Sequence, residues 1–155
     1  MMHNVSASGF VATLRASKTF PSGIQLTAWA DDADPFDIPA VIAATAAMNL
    51  NGELVVFNSP TPVPLTINLI AGSPDDENMS ILLDANTAGF GKTVAQDVIT
   101  LTGTYPDGRT VDLSEGVLIS GIPTPGIASA GRLKSKAWAM TFTSSKVSRK
   151  TGVVA

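Results

Sequence analysis

The sequence predicts a mainly β fold, a small antiparallel barrel or sandwich of about eight strands with one flanking helix around residues 74–86. Two observations carry this. Most segments alternate apolar and polar residues with period two between Gly, Pro, Asn and Asp, and one segment alone carries a full helix-start signal. With no internal repeat, residues 1–155 read as a single domain, of which 1–8 and 144–155 are expected to be extended terminal arms.

The elements follow in order. In GFVATLRAS one face is Phe10, Ala12, Leu14 and Ala16. In GIQLTAWA it is Ile24, Leu26, Ala28 and Ala30, opposite Gln25, Thr27 and Trp29, and KTFPSG between the two fits a hairpin loop. The acidic, Pro-broken DDADPFDIP is a loop. AATAAMNLNGELVVFN and VPLTINLIA read as strands, with Asn51-Gly52 as a turn, and SPTPVP cannot sit inside a sheet.

SPDDENMSILLDAN is the helix. Ser73 is its N-cap, Pro74 takes the first helical position, and Asp75, Asp76 and Glu77 face the positive helix end. Met79, Leu82 and Leu83 form the inward stripe, whereas Ile81 points the other way, where an apolar residue suits a contact with a neighbour. Next come DVITLTGTY, a turn at Pro106 to Arg109, GVLISG and GRLKSKAWAMTF. One face of the last runs Arg132, Lys134, Lys136, Trp138, Met140, Phe142, basic where the strand starts and core-forming where it ends.

Composition narrows the class. Hydrophobic residues make up 45% and charged residues 15%, with a mean hydropathy of +0.25. That is apolar for a monomer bathed in water, and surplus apolar surface goes to a partner. The absence of cysteine removes disulfide, thiol and cysteine–zinc chemistry. MMHNVSASGF has neither a basic start nor an apolar run, and IPAVIAATAAM is half of the roughly 20 residues a membrane helix needs, so a soluble, unexported chain is expected. Charge is split along the chain. Residues 131–155 hold Arg132, Lys134, Lys136, Lys146, Arg149 and Lys150 without an acid, whereas residues 1–130 hold all thirteen acids and four bases. Such a split suits head-to-tail association, and equally a solvated basic tail.

Chemical motifs fail one by one. NTAGFGKT (86–93) ends like a phosphate-binding loop, but Asn86 stands where a glycine is required, and a helix precedes it where a strand should. Asn86 and Gly89 ending a helix account for it better. His3, the single histidine, lies near the terminus, which leaves no Ser-His-Asp set, and GIASAG is one residue too long for a nucleophile elbow. Asp31, Asp32, Asp34 and Asp37 resemble a calcium loop in composition only, because Pro35 interrupts the ligand alternation. No enzyme activity, cofactor or metal is expected.

A β-barrel with one inserted helix, few charges and no catalytic set resembles a tail tube protein of contractile-tailed bacteriophages. ASGFVATLRAS, MNLNGELVVFN, LIAGSPDDENMSILLDAN and ISGIPTPGIASAGRLKSKAWAMTF carry the resemblance. It implies a structural virion protein of the inner tail tube, assembled in the host cytoplasm. Its hexameric rings would stack into a tube inside a sheath, meet baseplate, tape-measure and tail-terminator proteins, and let DNA pass without specific binding. Polar faces such as Thr100, Thr102 and Thr104, or Gln25 and Thr27, suit such a bore. A conduit should not hold DNA, since neutralising phosphates adds affinity. The bases at 132, 134, 136, 146, 149 and 150 are therefore expected at inter-subunit contacts or facing the sheath. Their expected complements are Asp31, Asp32, Asp34 and Asp37, with Asp75, Asp76 and Glu77, and Ile81 is expected at a further contact. The alternative is a nucleic-acid-binding β-barrel, which Trp138 and Phe142 in phase with Lys134 and Lys136 would serve.

Overall fold

Alternation between Gly and Pro breaks produces strands, and strands with one apolar face must bury it. The computed structural model describes residues 8–31 and 33–148, over which nine strands and one helix form. They are β1 (Val11–Ala16), β2 (Phe20–Leu26), β3 (Phe36–Asp37), β4 (Thr45–Met48), β5 (Leu54–Phe57), β6 (Val63–Leu69), α1 (Pro74–Asn86), β7 (Ile99–Thr104), β8 (Thr110–Gly121) and β9 (Lys136–Val147). Seven strands make one antiparallel sheet in the order β2-β1-β7-β8-β9-β6-β3, and β4 and β5 form a separate two-stranded sheet.

The large sheet curls. Beyond β2 the chain crosses to the far edge, where Ala30 N–H donates to Asn68 O at 3.0 Å and Ile70 N–H to Ala28 O at 3.0 Å. On β1 and β9 the inward faces are those the alternation predicts, Ala12, Leu14 and Ala16 and then Trp138, Met140 and Phe142, and on β6 they are Leu65, Ile67 and Leu69, all buried. Helix α1 fills the remaining opening, packing against β2 and β8. Its Met79 and Leu82 are fully buried, each contributing about 1.5–3 kcal/mol of apolar burial. Ser73 caps it, Oγ accepting from Asp76 N–H at 3.2 Å, with Pro74 in the first turn.

Two large side chains in the core require glycine opposite them. A Cβ on Gly116 would lie 2.3 Å from the Phe142 ring, and one on Gly121 would lie 2.2 Å from the Trp138 ring. At one end of the barrel Phe10 gathers Trp29, Phe36 and Tyr105, with centroids 5.4, 5.0 and 4.9 Å away, and Trp29 Nε1 donates to Phe10 O at 2.9 Å.

A buried carboxylate ties the helix end to the first hairpin. Asp97 accepts from Lys18 N–H at 2.7 Å, Thr19 N–H at 2.9 Å, the Thr19 hydroxyl and Asn86 Nδ2 at 2.9 Å, while its own N–H donates to Asn86 Oδ1 at 2.9 Å. Burial pushes its carboxyl up, but these hydrogen bonds outweigh burial and hold it below the ordinary value.

Two strand boundaries differ from the sequence reading. β8 starts at Thr110, six residues before GVLISG, and β9 starts at Lys136 and continues to Val147. Residues 144–147, expected in a terminal arm, are therefore paired with β8. Between β8 and β9, Pro123 and Pro125 lack the N–H that would extend the ladder, and 126–134 folds into its own small turn, with Lys134 N–H donating to Gly126 O at 2.7 Å.

Two outcomes test this packing. Gly121→Ala should destabilise the fold by about 1–3 kcal/mol in urea denaturation, because Trp138 has no room to retreat. Because the Asp97 carboxyl is depressed in the folded state, its stabilisation is present above the unfolded value of roughly 4 and is lost as pH falls through the folded one. Asp97→Asn should thus cost about 1–3 kcal/mol at neutral pH and flatten the acid limb of the stability profile.

Candidate assembly surfaces

Of the acids expected at inter-subunit contacts, two serve the interior instead. Asp75 and Asp76 are buried. Asp75 Oδ2 accepts from Thr27 N–H and Ala28 N–H, both at 2.8 Å, which satisfies the backbone where the chain leaves β2. Asp76 Oδ2 accepts from Gly72 N–H at 3.1 Å and pairs with Lys136 Nζ at 3.0 Å. Lys136, expected at a contact or facing outward, is likewise buried and also donates to Pro123 O at 3.0 Å. The physical reason is phase: Lys136 shares its face with Trp138, Met140 and Phe142, and a buried ammonium needs a carboxylate.

The remaining predicted residues are on the surface. Arg132 forms a two-pronged ion pair with Asp31, Nη1 donating to Oδ2 at 3.2 Å, and this guanidinium holds the Asp31 carboxyl below its ordinary range. These two were expected to meet partners across subunits, and here they meet within one chain. Asp34, Asp37, Glu77, Lys134 and Lys146 are exposed, as is Ile81, on the helix face away from the core. Asp32, Arg149 and Lys150 lie outside the described residues, as does most of the expected arm at each end.

NTAGFGKT is a helix stop. Lys92 Nζ donates to the Asp84 carbonyl and pairs with Asp84 Oδ1 at 3.2 Å, which places its charge on the negative helix end. Trp138 and Phe142 are buried, so the aromatic–basic face that a nucleic-acid-binding barrel would use is core. Among the described residues no three of His, Asp and Glu come together as a metal ion would require.

The outer surface divides into two kinds. Over β2, β1, β7 and the start of β8 it is polar: Gln25, Thr13, Thr102, Asp112 and Lys146 form one row across the strands, flanked by Arg15 beside Thr100 and by Thr104 beside Thr110. Two other stretches of it are apolar. All eight residues of β4 and β5 are exposed, among them Met48, Leu54, Val55, Val56 and Phe57, and Leu50 projects fully from the turn between them. Val117 and Ile119 on β8, with Ile122 and Ile127 after it, are exposed too. The alternation of AATAAMNLNGELVVFN gave a hairpin without showing that nothing among the described residues covers it.

A family model, described as tail fiber protein gp32, matches residues 3–146. The chain belongs to the tail fiber protein gp32 family. The family is thus one of tail proteins, and its name speaks of a fiber, whereas the sequence resemblance is to tail tubes. Solved structures share the fold of this gp32-family chain along nearly its whole length. A chain of the anti-feeding prophage tube-terminating cap matches with a TM-score of 0.59 at 12% identity, covering 96% of this chain and 93% of that one. A chain of the PVC sheath–tube complex, from an extracellular contractile injection system in its extended state, matches at 0.56 and 10% identity, with 96% and 93% covered. One from the sheath/tube terminator of the same system matches at 0.58 and 11%, with 96% and 99% covered. At these identities the likeness is one of fold. No curated protein sequence matches.

The buried ion pair is open to test. Lys136→Met should cost about 3–5 kcal/mol by leaving Asp76 charged and unpaired, whereas Lys136→Met with Asp76→Leu should recover most of that. Chemical denaturation of the three proteins checks it. Equal losses in the single and double variants would assign the pair no such coupling.

Proposed function

We propose that this tail protein is a tube subunit: copies close into rings, six to a ring by the family resemblance, and the rings stack into a conduit for DNA within a sheath. The observation that carries the reading is the division of the outer surface into a threonine-rich part and an uncharged apolar part. A monomer in water gains nothing from exposing the second, and a ring subunit covers it with neighbours. The first suits a bore. Hydroxyls hydrate well and do not neutralise phosphates, and on that face Asp112 lies opposite Lys146, which leaves Arg15 as the one unmatched charge among them. The fold shared with chains of a tube cap, a sheath–tube complex and a terminator supports the same role.

Ring stacking then falls to exposed charges away from that face, Asp34, Asp37 and Glu77 against Lys134. Ile81 meets a further subunit or the sheath. Concentrated purified protein should form rings or hollow rods in negative stain, with sedimentation shifting from monomer to assembly as concentration rises. Ile81→Lys should remain folded and assemble less. A monomer at every concentration, absent also from tail particles, would refute the tube reading.

A further inference from the structure

Seven asparagines occur in the chain, and one of them, Asn51, is followed by glycine. An asparagine loses its amide when the backbone nitrogen of the next residue attacks the side-chain carbonyl carbon. Glycine offers that nitrogen without a Cβ to hinder its approach. Several of the other asparagines are also held in place. Asn68 Nδ2 donates to Asp34 O at 2.7 Å, Asn86 Nδ2 donates to Leu82 O and to Asp97 Oδ2, both at 2.9 Å, and Asn78 sits within α1. Asn51 is exposed at the tip of the β4–β5 hairpin, and its carboxamide makes no hydrogen bond to the described residues.

The closed turn restrains the reacting nitrogen. Gly52 N–H donates to Asn49 O at 3.1 Å, and Asn49 Oδ1 accepts from Asn51 N–H at 3.0 Å and from Glu53 N–H at 2.9 Å. A nitrogen whose hydrogen is so engaged is a poor nucleophile, because the attack needs that proton removed. The restraint is only as strong as the hairpin. Two strands alone are marginal in water, and all eight residues of β4 and β5 are exposed, so the turn opens at little cost.

We infer that Asn51 is a site of spontaneous deamidation, reached when the hairpin of an unassembled copy opens. Hydroxide takes the Gly52 amide proton, and the nitrogen bonds to Asn51 Cγ. The Cγ–Nδ2 bond breaks, ammonia leaves and a five-membered imide remains. Water then opens the imide at either carbonyl, giving aspartate or isoaspartate. Both products place a carboxylate beside Leu50, in a stretch where Glu53 is the single charged residue between 38 and 74. Isoaspartate also adds a carbon to the backbone and takes the turn's hydrogen bonds out of register. The consequence for assembly rests on the ring reading above. Neighbours that cover the hairpin keep its turn closed, whereas a copy left waiting acquires a charge that a contact must desolvate.

Dilute protein held in mildly alkaline buffer, then digested and read by mass spectrometry, should lose the Asn51 amide ahead of every other asparagine. Aspartate and isoaspartate should both appear at position 51, and mildly acidic buffer should slow the loss. Asn49→Ala, which removes the acceptor of two turn amides, should speed it. Loss first at Asn58, or at no asparagine, would overturn the site. Slower loss in Asn49→Ala would overturn the restraint by the turn. Assembled protein should lose the amide more slowly than dilute protein, and aged protein should assemble less than Asn51→Gln aged beside it. Equal loss in rings and in dilute protein would overturn the protection by neighbours. A protein that never assembles yet reacts first at Asn51 keeps the site and rejects the tube. Rings formed by a protein whose Asn51 never reacts in dilute solution keep the tube and reject the site.

Discussion

A sheet that curls without closing leaves a mouth, and two adjacent carboxylates hold the helix that fills it. Asp75 takes the two N–H groups freed where the chain leaves β2, and Asp76 takes Gly72 N–H and the Lys136 ammonium at the start of β9. Helix α1 is thereby fixed to both sides of the opening at its first turn, which aims Met79 and Leu82 into the barrel and Ile81 away from it. The same two acids also offset the positive end of the helix. Losing either would loosen the helix start and the chain crossing together, since each acid serves more than one element.

That use of charge inside has a consequence outside. Of a small complement of charged residues, Asp75, Asp76, Asp97 and Lys136 are buried, and Arg132 and Asp31 occupy each other. Long stretches of surface are left with none. The apolar hairpin and the 116–131 surface are what remains once the barrel core is full, because an interior packed at crystal-like density accepts no further side chains. Gly116 and Gly121 show how full it is, since neither position tolerates a methyl group against the rings of Phe142 and Trp138. Surplus apolar residues therefore stand outside, and they stand together.

Much of this was legible in the sequence. Ser73 and Pro74 marked the helix start, Asn86 its end, and period-two alternation gave the inner faces of β1 and β9 and the threonine face of β7. Alternation reports which side of a strand faces the core, and in β9 it placed Lys136 in phase with Trp138, a signal of burial that the lysine's charge obscured. It does not report where sheet pairing stops: Arg132 and Lys134 continue the alternation but fall in a turn after Pro123 and Pro125. The inward folding of Asp75 and Asp76 was not readable either, because acids in a first helical turn serve the dipole equally well when solvated. Asp97 and its Thr19 and Asn86 partners come from three separate segments, and no local pattern joins them. Nor could the sequence say that AATAAMNLNGELVVFN folds into a ribbon that the described residues leave uncovered.

The central claim is that this ribbon is incomplete in one copy and is finished by others. Hydrogen exchange at its backbone amides, residues 45–57, measures that directly in dilute monomer and in concentrated assembly. In the monomer these amides should exchange close to the rate of an open chain, since a lone hairpin opens readily. On assembly they should slow by orders of magnitude, together with the amides of 116–131. Assembly that leaves the exchange of 45–57 unchanged would contradict the account.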